Sequence, residues 1–545
     1  MRIKHFTYLV KEHLQRYKLN NTRVVIDGQN LFYNLYRESG VQFIFGSESD
    51  RYADYLRDYC QMFKKANIKC YIIIKGGHET EQTLMVHFDD RRRILGNKFD
   101  LANEYEGQII QPCLAKDIFM EVLTEMELDF TVCDTNDVVG ECIALAQRLS
   151  CPVISFNIQY SFSEIQYLPL KTGDKYKFNK KNNAYCRIFT RQQFINDFKI
   201  SADKIILFIL LTDTDIFEEN VFIAFLKATK IPLSYVKLYK RLLSWLSHKS
   251  KAEAIYHIYQ YISKSDQNKF KEKELDLKEK FLLHKDEESL STLYFTDSDR
   301  VQVVEFDPLW FEKGVEASNL IEDYDQPNSI MVVIDVIKYA HDLLKNFNGD
   351  EITIRKRGNF NNEDAIVKYS QSVRKPEYTS KDCVFENGWN NIDSRLYFAR
   401  KKAISEIYSI LLSYVMLGVA TVKVDKVKDY VIVQDCEIAK TILGKYLNIH
   451  EPEIRSIFER RQLHLLIEFE RCLLEVNYLN ALCGSPFSPT AYSTTYNGTF
   501  VCKFLYSSKD GDTLEFIKNI LNPSPSVLTF TLGLIEIYKC MYEYS

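Results

Sequence analysis

The N-terminal part of the chain alternates two kinds of apolar pattern, and this alternation limits the fold more than anything else in the sequence. "TRVVIDG", "CYIIIKGG", "DFTVC" and "CPVISF" are short apolar runs of strand length. Between and around them, "NLFYNLY", "YADYLRDYCQMFKKA", "AKDIFMEVLTEM" and "DVVGECIALAQRL" repeat apolar residues at helical spacing. A strand, a helix and a further buried strand in succession favour parallel pairing with a crossover. The pattern therefore predicts an α/β fold, a doubly wound parallel sheet covered by helices. "SEIQYLPL" and "AYCRIFT" are candidate strands added to that sheet.

From about Ala202 the pattern turns helical. "LFILLTDTD", "ENVFIAFLKAT" and "LYKRLLSWLSHKSKAEAIYHIYQYI" follow one another, then the charge-dense "KFKEKELDLKEKFLLHKDEES", a solvated helix or linker. The polar, Asn-rich stretch "IRKRGNFNNEDAIVKYSQSVRKPEYTSKD" reads as a long loop near 355–382. After it, "ARKKAISEIYSILLSYVML", "RSIFERRQLHLLIEFERCLLEVNYLN" and "VLTFTLGLIEIYKCMYEY" are helical. The expected organisation is thus 1–200 for the sheet domain, 201–350 for a helical continuation and 351–545 for a mainly helical C-terminal region. No short-period repeat is present.

Composition narrows the function. A net charge of −4 gives no global basic field, so any nucleic-acid contact needs a local patch. The 13 cysteines are odd in number and contain no CxxC pair, which fits reduced thiols of an intracellular protein. "MRIKHFTYLVKEHLQRY" is charged throughout and is not a secretory signal. No apolar run reaches the ~20 residues of a membrane span, and "ADKIILFILLTD" is short and flanked by acids. The 35 tyrosines and 35 phenylalanines read as core residues, Trp245 and Trp310 among them at helical spacing. No GxxxxGK[ST] loop, GxGxxG turn or GxSxG elbow follows a strand.

In an open parallel sheet, ligands gather beyond the carboxyl ends of the strands. The first strand delivers Asp27 there and the second delivers Lys75, before Gly76 and Gly77. Asp134, Asp137 and Glu141 follow the third strand, and Asn157 and Gln159 follow the fourth. A two-metal phosphodiesterase needs several carboxylates in such places, because Mg²⁺ takes hard oxygen ligands. These residues also have plainer roles. Asp27 and Asp137 suit helix caps, Asn157 and Gln159 suit a loop, and Gly76 and Gly77 suit a turn.

The segments "VVIDGQNLFYNLYRESG", "IIIKGGHETEQ", "DVVGECIALAQRLSCPVISFNIQYSF" and "WLSHKSKAEAIYHIYQYI" resemble the asteroid family, a branch of the XPG/flap-endonuclease group with a PIN-like fold. "FDPLWFEKGVEASNLIEDYDQPNS" extends the resemblance to about residue 345; the tail from 350 is weakly covered. The resemblance implies a structure-specific, Mg-dependent nuclease fold. It also implies that the acids are largely replaced. Asp27 and Asp137 match family acids and are the candidate metal ligands, with Glu141 one turn on. Val139, Lys75, Asn157 and Gln159 stand where other acids belong, and a last acid corresponds to Asp213 or Asp215, with Thr214 in strict register. Arg2 and His5 replace glycines, and Gln82 and Asp89 replace a lysine and an arginine that face the scissile phosphate. Arg91, Arg92 and Arg93 are candidates for phosphate contact beside their plainer reading as a solvated helix face, and so is the "RKR" at Arg355–Arg357.

A lysine among metal ligands is unfavourable: two like charges 4 Å apart repel by about 4 kcal/mol at an effective dielectric of ~20. Lys75 is therefore expected to pair with Asp27 or Asp137 in place of the metals. The expected function is a non-catalytic binding or regulatory protein related to signalling or DNA processing, with no cofactor. A structure-specific DNA endonuclease with a reduced Mg site and a nucleic-acid binder without cleavage are the alternatives. Branched or single-stranded DNA and protein partners at the helical C-terminal half are the expected partners, with no membrane and a nuclear location implied by the family.

Overall fold

The computed structural model describes residues 3–75, 112–133, 137–170, 177–178, 184–282, 295, 315–316, 323, 325–343, 351–356, 365–370, 404–421, 427–482, 485, 488–508 and 512–543. The eight strands of the main sheet are β1 (Gln15–Lys18), β2 (Arg23–Asp27), β3 (Lys69–Lys75), β4 (Asp129–Cys133), β5 (Val153–Ser155), β6 (Gln166–Pro169), β7 (Lys177–Phe178) and β8 (Ala184–Thr190). The main path runs β1-β8-β6-β5-β2-β3-β4, with β7 paired to β8. The pairs β6–β5, β5–β2, β2–β3 and β3–β4 are parallel, and β8 is antiparallel to β6 and β1.

This order is that of a doubly wound sheet. The chain moves outward from β2 to β3 and β4, then returns to the other side of β2 for β5 and β6. The switch point therefore lies between the carboxyl ends of β2 and β5, where such sheets form their crevice. The four expected strands and the two added ones are all present. β1 was not expected, because its "QRYK" is polar and carries no apolar run; pairing with β8 makes it a strand, with Gln15 opposite Ile188 and Lys18 opposite Tyr185.

The chain divides into two compact units whose segments interleave, unlike the linear segments expected from the sequence. One comprises Met1–Asn34, Tyr59–Gly76 and Met126–Gln302, the other Leu35–Asp58, Gly77–Glu125 and Val303–Ser545. The first unit holds the main sheet. Val24, Ile26, Ile72 and Ile74 point to one face and Val25 and Ile73 to the other, and all are buried. Burial on both faces explains the unbroken apolar runs. The helix Val138–Leu149 packs on β2, β3 and β5. The helix Ala202–Thr212 is buried continuously from Ile205 to Leu211. Its apolar surface is core rather than a membrane span, and among the described residues no helix is long and apolar enough to cross a membrane. Trp245 packs edge-on against Phe225 at 5.1 Å, as a core residue should. Trp310 lies outside the described residues.

The long helical run after residue 234 breaks into Tyr235–Ser247 and Lys251–Tyr259, separated by a capping box at Ser250 and Glu253. The charge-dense stretch is a helix from Lys264 to Phe281.

The second unit is mainly helical, with the long helices Ile404–Thr421, Arg460–Leu482 and Pro525–Glu543. The loop expected near 355–382 is corrected in part. It contains most of a hairpin made by β10 (Glu351–Lys356) and β11 (Ala365–Ser370), with β9 (Val315–Glu316) added in parallel. "EITIRK" and "AIVKYS" carry the β-branched residues Ile352, Thr353, Ile354, Ile366 and Val367, a strand signal that the surrounding asparagines obscured.

Residues far apart in sequence close this unit. Tyr478 donates a 2.7 Å hydrogen bond to Asp117 Oδ1 on the helix Ala115–Glu125. Glu121, on the same helix, accepts from the backbone N–H of Tyr492 at 2.8 Å. Tyr496 donates to the Phe45 carbonyl at 2.9 Å, and the Gly498 N–H donates to the Ser47 carbonyl at 2.8 Å. The approach is so close that a Cβ on Gly498 would lie 1.7 Å from the Phe45 oxygen. Gly498→Ala is therefore expected to destabilise the protein by about 3 kcal/mol, read as a lowered midpoint in urea unfolding; an unchanged midpoint would contradict this packing.

Candidate functional site

Asp27 is the last residue of β2, and Gly28 starts the helix Gly28–Ser39 directly after it. This turn is tight against β3: a Cβ on Gly28 would lie 2.9 Å from the Ile73 carbonyl oxygen and 2.8 Å from Ile72 Cγ2. The glycine allows the helix to start beside the neighbouring strand, and that start aims the Asp27 carboxyl into the switch point.

The carboxyl is only 3% exposed and is surrounded by donors. Its Oδ1 accepts the Asn30 backbone N–H at 3.0 Å. Its Oδ2 accepts the Tyr160 hydroxyl at 3.0 Å and lies 3.1 Å from Ser155 Oγ. Ser155 is the last residue of β5, across the switch point. Its hydroxyl also lies 3.2 Å from Asn30 Oδ1, and that oxygen accepts the Phe156 N–H at 2.8 Å. Tyr160 is fully buried on the short 3₁₀ helix Ile158–Phe162, and Tyr167 beside it donates to the Ser155 carbonyl at 3.2 Å. Burial pushes the Asp27 carboxyl above its ordinary range, although the Asn30, Tyr160 and Ser155 donors pull it back. Burial also raises the Tyr160 hydroxyl, and the neighbouring Asp27 raises it further.

The expected counter-ion is corrected. Asp27 is held by Asn30, Tyr160 and Ser155, not by Lys75. Asp137 caps the helix Val138–Leu149 by accepting the Gly140 N–H at 3.1 Å, and its cation is Lys280, 3.4 Å away. The physical reason is that other groups already satisfy both acids. Lys75 ends β3 opposite Cys133 of β4. Lys280 instead arrives with the last turn of the helix Lys264–Phe281. Arg191 holds that turn, donating to the Phe281 carbonyl at 2.9 Å and to the Phe162 carbonyl at 3.1 Å.

The remaining predicted positions are local. Asn157 caps the 3₁₀ helix by accepting the Gln159 N–H at 3.1 Å, which is the plainer role for both residues. Glu141 stands in the first turn of the helix that Asp137 caps. Val139 packs against the core. Asp213 is buried just after the helix Ala202–Thr212 and accepts the Asp215 N–H at 3.0 Å. His5 precedes the helix Phe6–Glu12 in left-handed conformation, with its ring 5.3 Å from that of Tyr235. Arg355 and Lys356 fall in β10. Arg2, Gly76, Gly77, Gln82, Asp89, Arg91, Arg92, Arg93, Asp134 and Arg357 lie outside the described residues.

These side chains do not fit a Mg²⁺ pair. Magnesium needs near-octahedral oxygen ligands and retains water, whereas Asp27 is sealed from water with hydroxyl and amide donors on both oxygens. Among the described residues, no three His, Cys, Asp or Glu side chains group so as to hold a metal ion. The sequence reading missed Tyr160 and Ser155 because it searched the strand ends for acids. Ser155 was still legible as the last residue of "CPVIS", on the strand across the switch point.

Comparison with known proteins adds similarities of sequence. The asteroid N-terminal domain family model matches residues 352–545, the stretch where the resemblance read from the sequence was weakest. Residues earlier in the chain carried that reading, so the likeness reaches further along the chain than it stated. The protein named single-strand DNA endonuclease ASTE1 of Homo sapiens is 24% identical over 294 residues, covering 50% of this chain and 43% of that one. Protein asteroid of Drosophila melanogaster is 27% identical over 161 residues, covering 29% of this chain and 18% of that one. These matches span less than half the length of the curated relatives. Among solved structures, human GEN1 in complex with Holliday junction DNA is 12% identical with a TM-score of 0.34, covering 71% of this chain and 92% of that chain. The catalytic core of Rad2 in complex with DNA substrate is 12% identical with a TM-score of 0.28, covering 48% and 87%.

A carboxyl whose folded pKa is raised favours folding below its unfolded pKa and loses that contribution as pH rises through the folded value. Asp27 therefore makes wild type progressively less stable, relative to Asp27→Asn, as pH rises from 4 to 8. Urea unfolding of both proteins across that range checks this, and a difference that stays constant with pH would contradict it.

Proposed function

This chain is related to the asteroid family, and on that premise we propose that it is a nuclease-fold protein that binds without cutting. Its switch point has become part of the core. The carrying observation is the Asp27 carboxyl, buried and hydrogen-bonded by Tyr160, Ser155 and Asn30. A catalytic carboxylate in a two-metal site is open to cation and solvent, whereas this one is sealed by its hydrogen-bond donors. Lys75, Asn157 and Gln159 at the other strand ends support the same reading.

The partner proposed is single-stranded or branched DNA, the former in keeping with the name of the relative that is 24% identical, and the role is regulatory. Arg91, Arg92 and Arg93 remain the proposed phosphate contacts, and the helical C-terminal half the proposed protein-binding part. An intracellular, nuclear place of action goes with such a partner. The scattered cysteines are in keeping with it, since those in the described residues are free thiols.

A second reading, a single-strand DNA endonuclease with a reduced Mg site, draws on the name of the relative that is 24% identical. Incubation with 5′-labelled single-stranded and flap DNA in Mg²⁺ or Mn²⁺ separates the two. The proposal expects no cleavage and no heat of Mg²⁺ binding by calorimetry. Metal-dependent cleavage that Asp27→Asn abolishes would establish the second reading instead. Binding of the same DNA should weaken steeply with salt if phosphate contacts hold it.

A further inference from the structure

A pocket of about 290 Å³ lies among the helices of the second unit. Its floor is the helix Ile404–Thr421, and the helix Pro525–Glu543 contributes Phe530 and Leu534 to its wall. No lining residue is charged; the polar ones are threonines, a tyrosine and a cysteine.

Gly418 makes this more than a packing gap. From Leu412 to Ala420 it is the single exposed residue on an otherwise buried stretch. A Cβ built there meets nothing within 4 Å, so the pocket reaches down to the helix backbone. A helix-interior glycine is about 1 kcal/mol less favourable than alanine. This position forgoes the helix preference, although nothing obstructs a side chain.

The size selects the occupant. Pockets that take small molecules start near ~300 Å³, whereas a partner helix with its side chains is ~10 Å across. We propose that the pocket binds a small, uncharged, apolar molecule. It would be seated over Gly418 against the Val415, Val431 and Phe530 side chains, with the exposed Thr494 available for one polar contact. Tyr430, Ile432, Val433 and Ile537 belong to the same segments and are exposed, which gives such a molecule an apolar approach.

The test uses the full chain and the uncharged fluorophore N-phenyl-1-naphthylamine. Wild type should give a saturable, single-site fluorescence increase. Gly418→Leu should raise the dissociation constant by about tenfold or more with an unfolding midpoint equal to or above that of wild type. Should Gly418→Leu not fold, Leu534→Trp fills the pocket from the opposite wall and should weaken the probe equally. Absence of saturable binding to wild type, or binding that a folded filling variant leaves unchanged, overturns the proposal. The pocket and Asp27 lie in different units, so neither outcome bears on the nuclease assay.

Discussion

A carboxyl group buried at the centre of an α/β sheet must be given hydrogen-bond donors, and the first unit is organised around that demand. An isolated buried carboxylate is strongly unfavourable. Asp27 receives one donor from the start of its own helix, one from the end of the neighbouring strand and one from the turn beyond it. Each donor is itself fixed by the fold. Gly28 lets the helix begin against β3, β5 places Ser155 across the switch point, and the turn capped by Asn157 presents Tyr160. The interaction therefore ties together segments 128 and 133 residues apart. It does so where related sheets leave a crevice for ligands.

The same arrangement changes what the strand ends can do. In a metal-dependent site, carboxylates stay hydrated and converge on cations. Here one carboxyl is dry, a second caps a helix and pairs with Lys280, and the neighbouring strand ends in a lysine. The helix Lys264–Phe281 completes the change. Its last turn brings Lys280 to Asp137 and is fixed by Arg191, so a helix that reads as a solvated charge run has one end in the core. Its charges are still mostly solvated, since Phe270, Glu274, Leu277 and Phe281 are its buried residues.

Most of the sheet was legible in the sequence because its strands are buried on both faces and give unbroken apolar runs. The helices were legible because their apolar spacing is long and regular. Three features were not, for separate reasons. β1 is short and exposed, and only its partner β8 makes it a strand. β10 and β11 are rich in β-branched residues but sit among asparagines and charges that look like a loop. The Asp27 lock is made of a serine and a tyrosine, residue types that carry no signal of a site until the strand order is known. Lys75 drew attention to the right end of the sheet, yet strand order decides which side chains meet, and β5 rather than β3 faces Asp27 across the switch point. The plainer reading of Asp27 and Asp137 as helix caps fits the backbone N–H groups that they accept, those of Asn30 and Gly140.

The most direct test of the central claim is the ionisation of Asp27 itself. Carbon-13 NMR of the aspartate carboxyls, assigned through Asp27→Asn, follows that single group through a pH titration with and without Mg²⁺. A carboxyl locked by Tyr160, Ser155 and Asn30 should titrate above the ordinary aspartate range, with a curve that millimolar Mg²⁺ leaves unmoved. An Asp27 that titrates below that range, or whose resonance shifts as Mg²⁺ is added, would contradict the account.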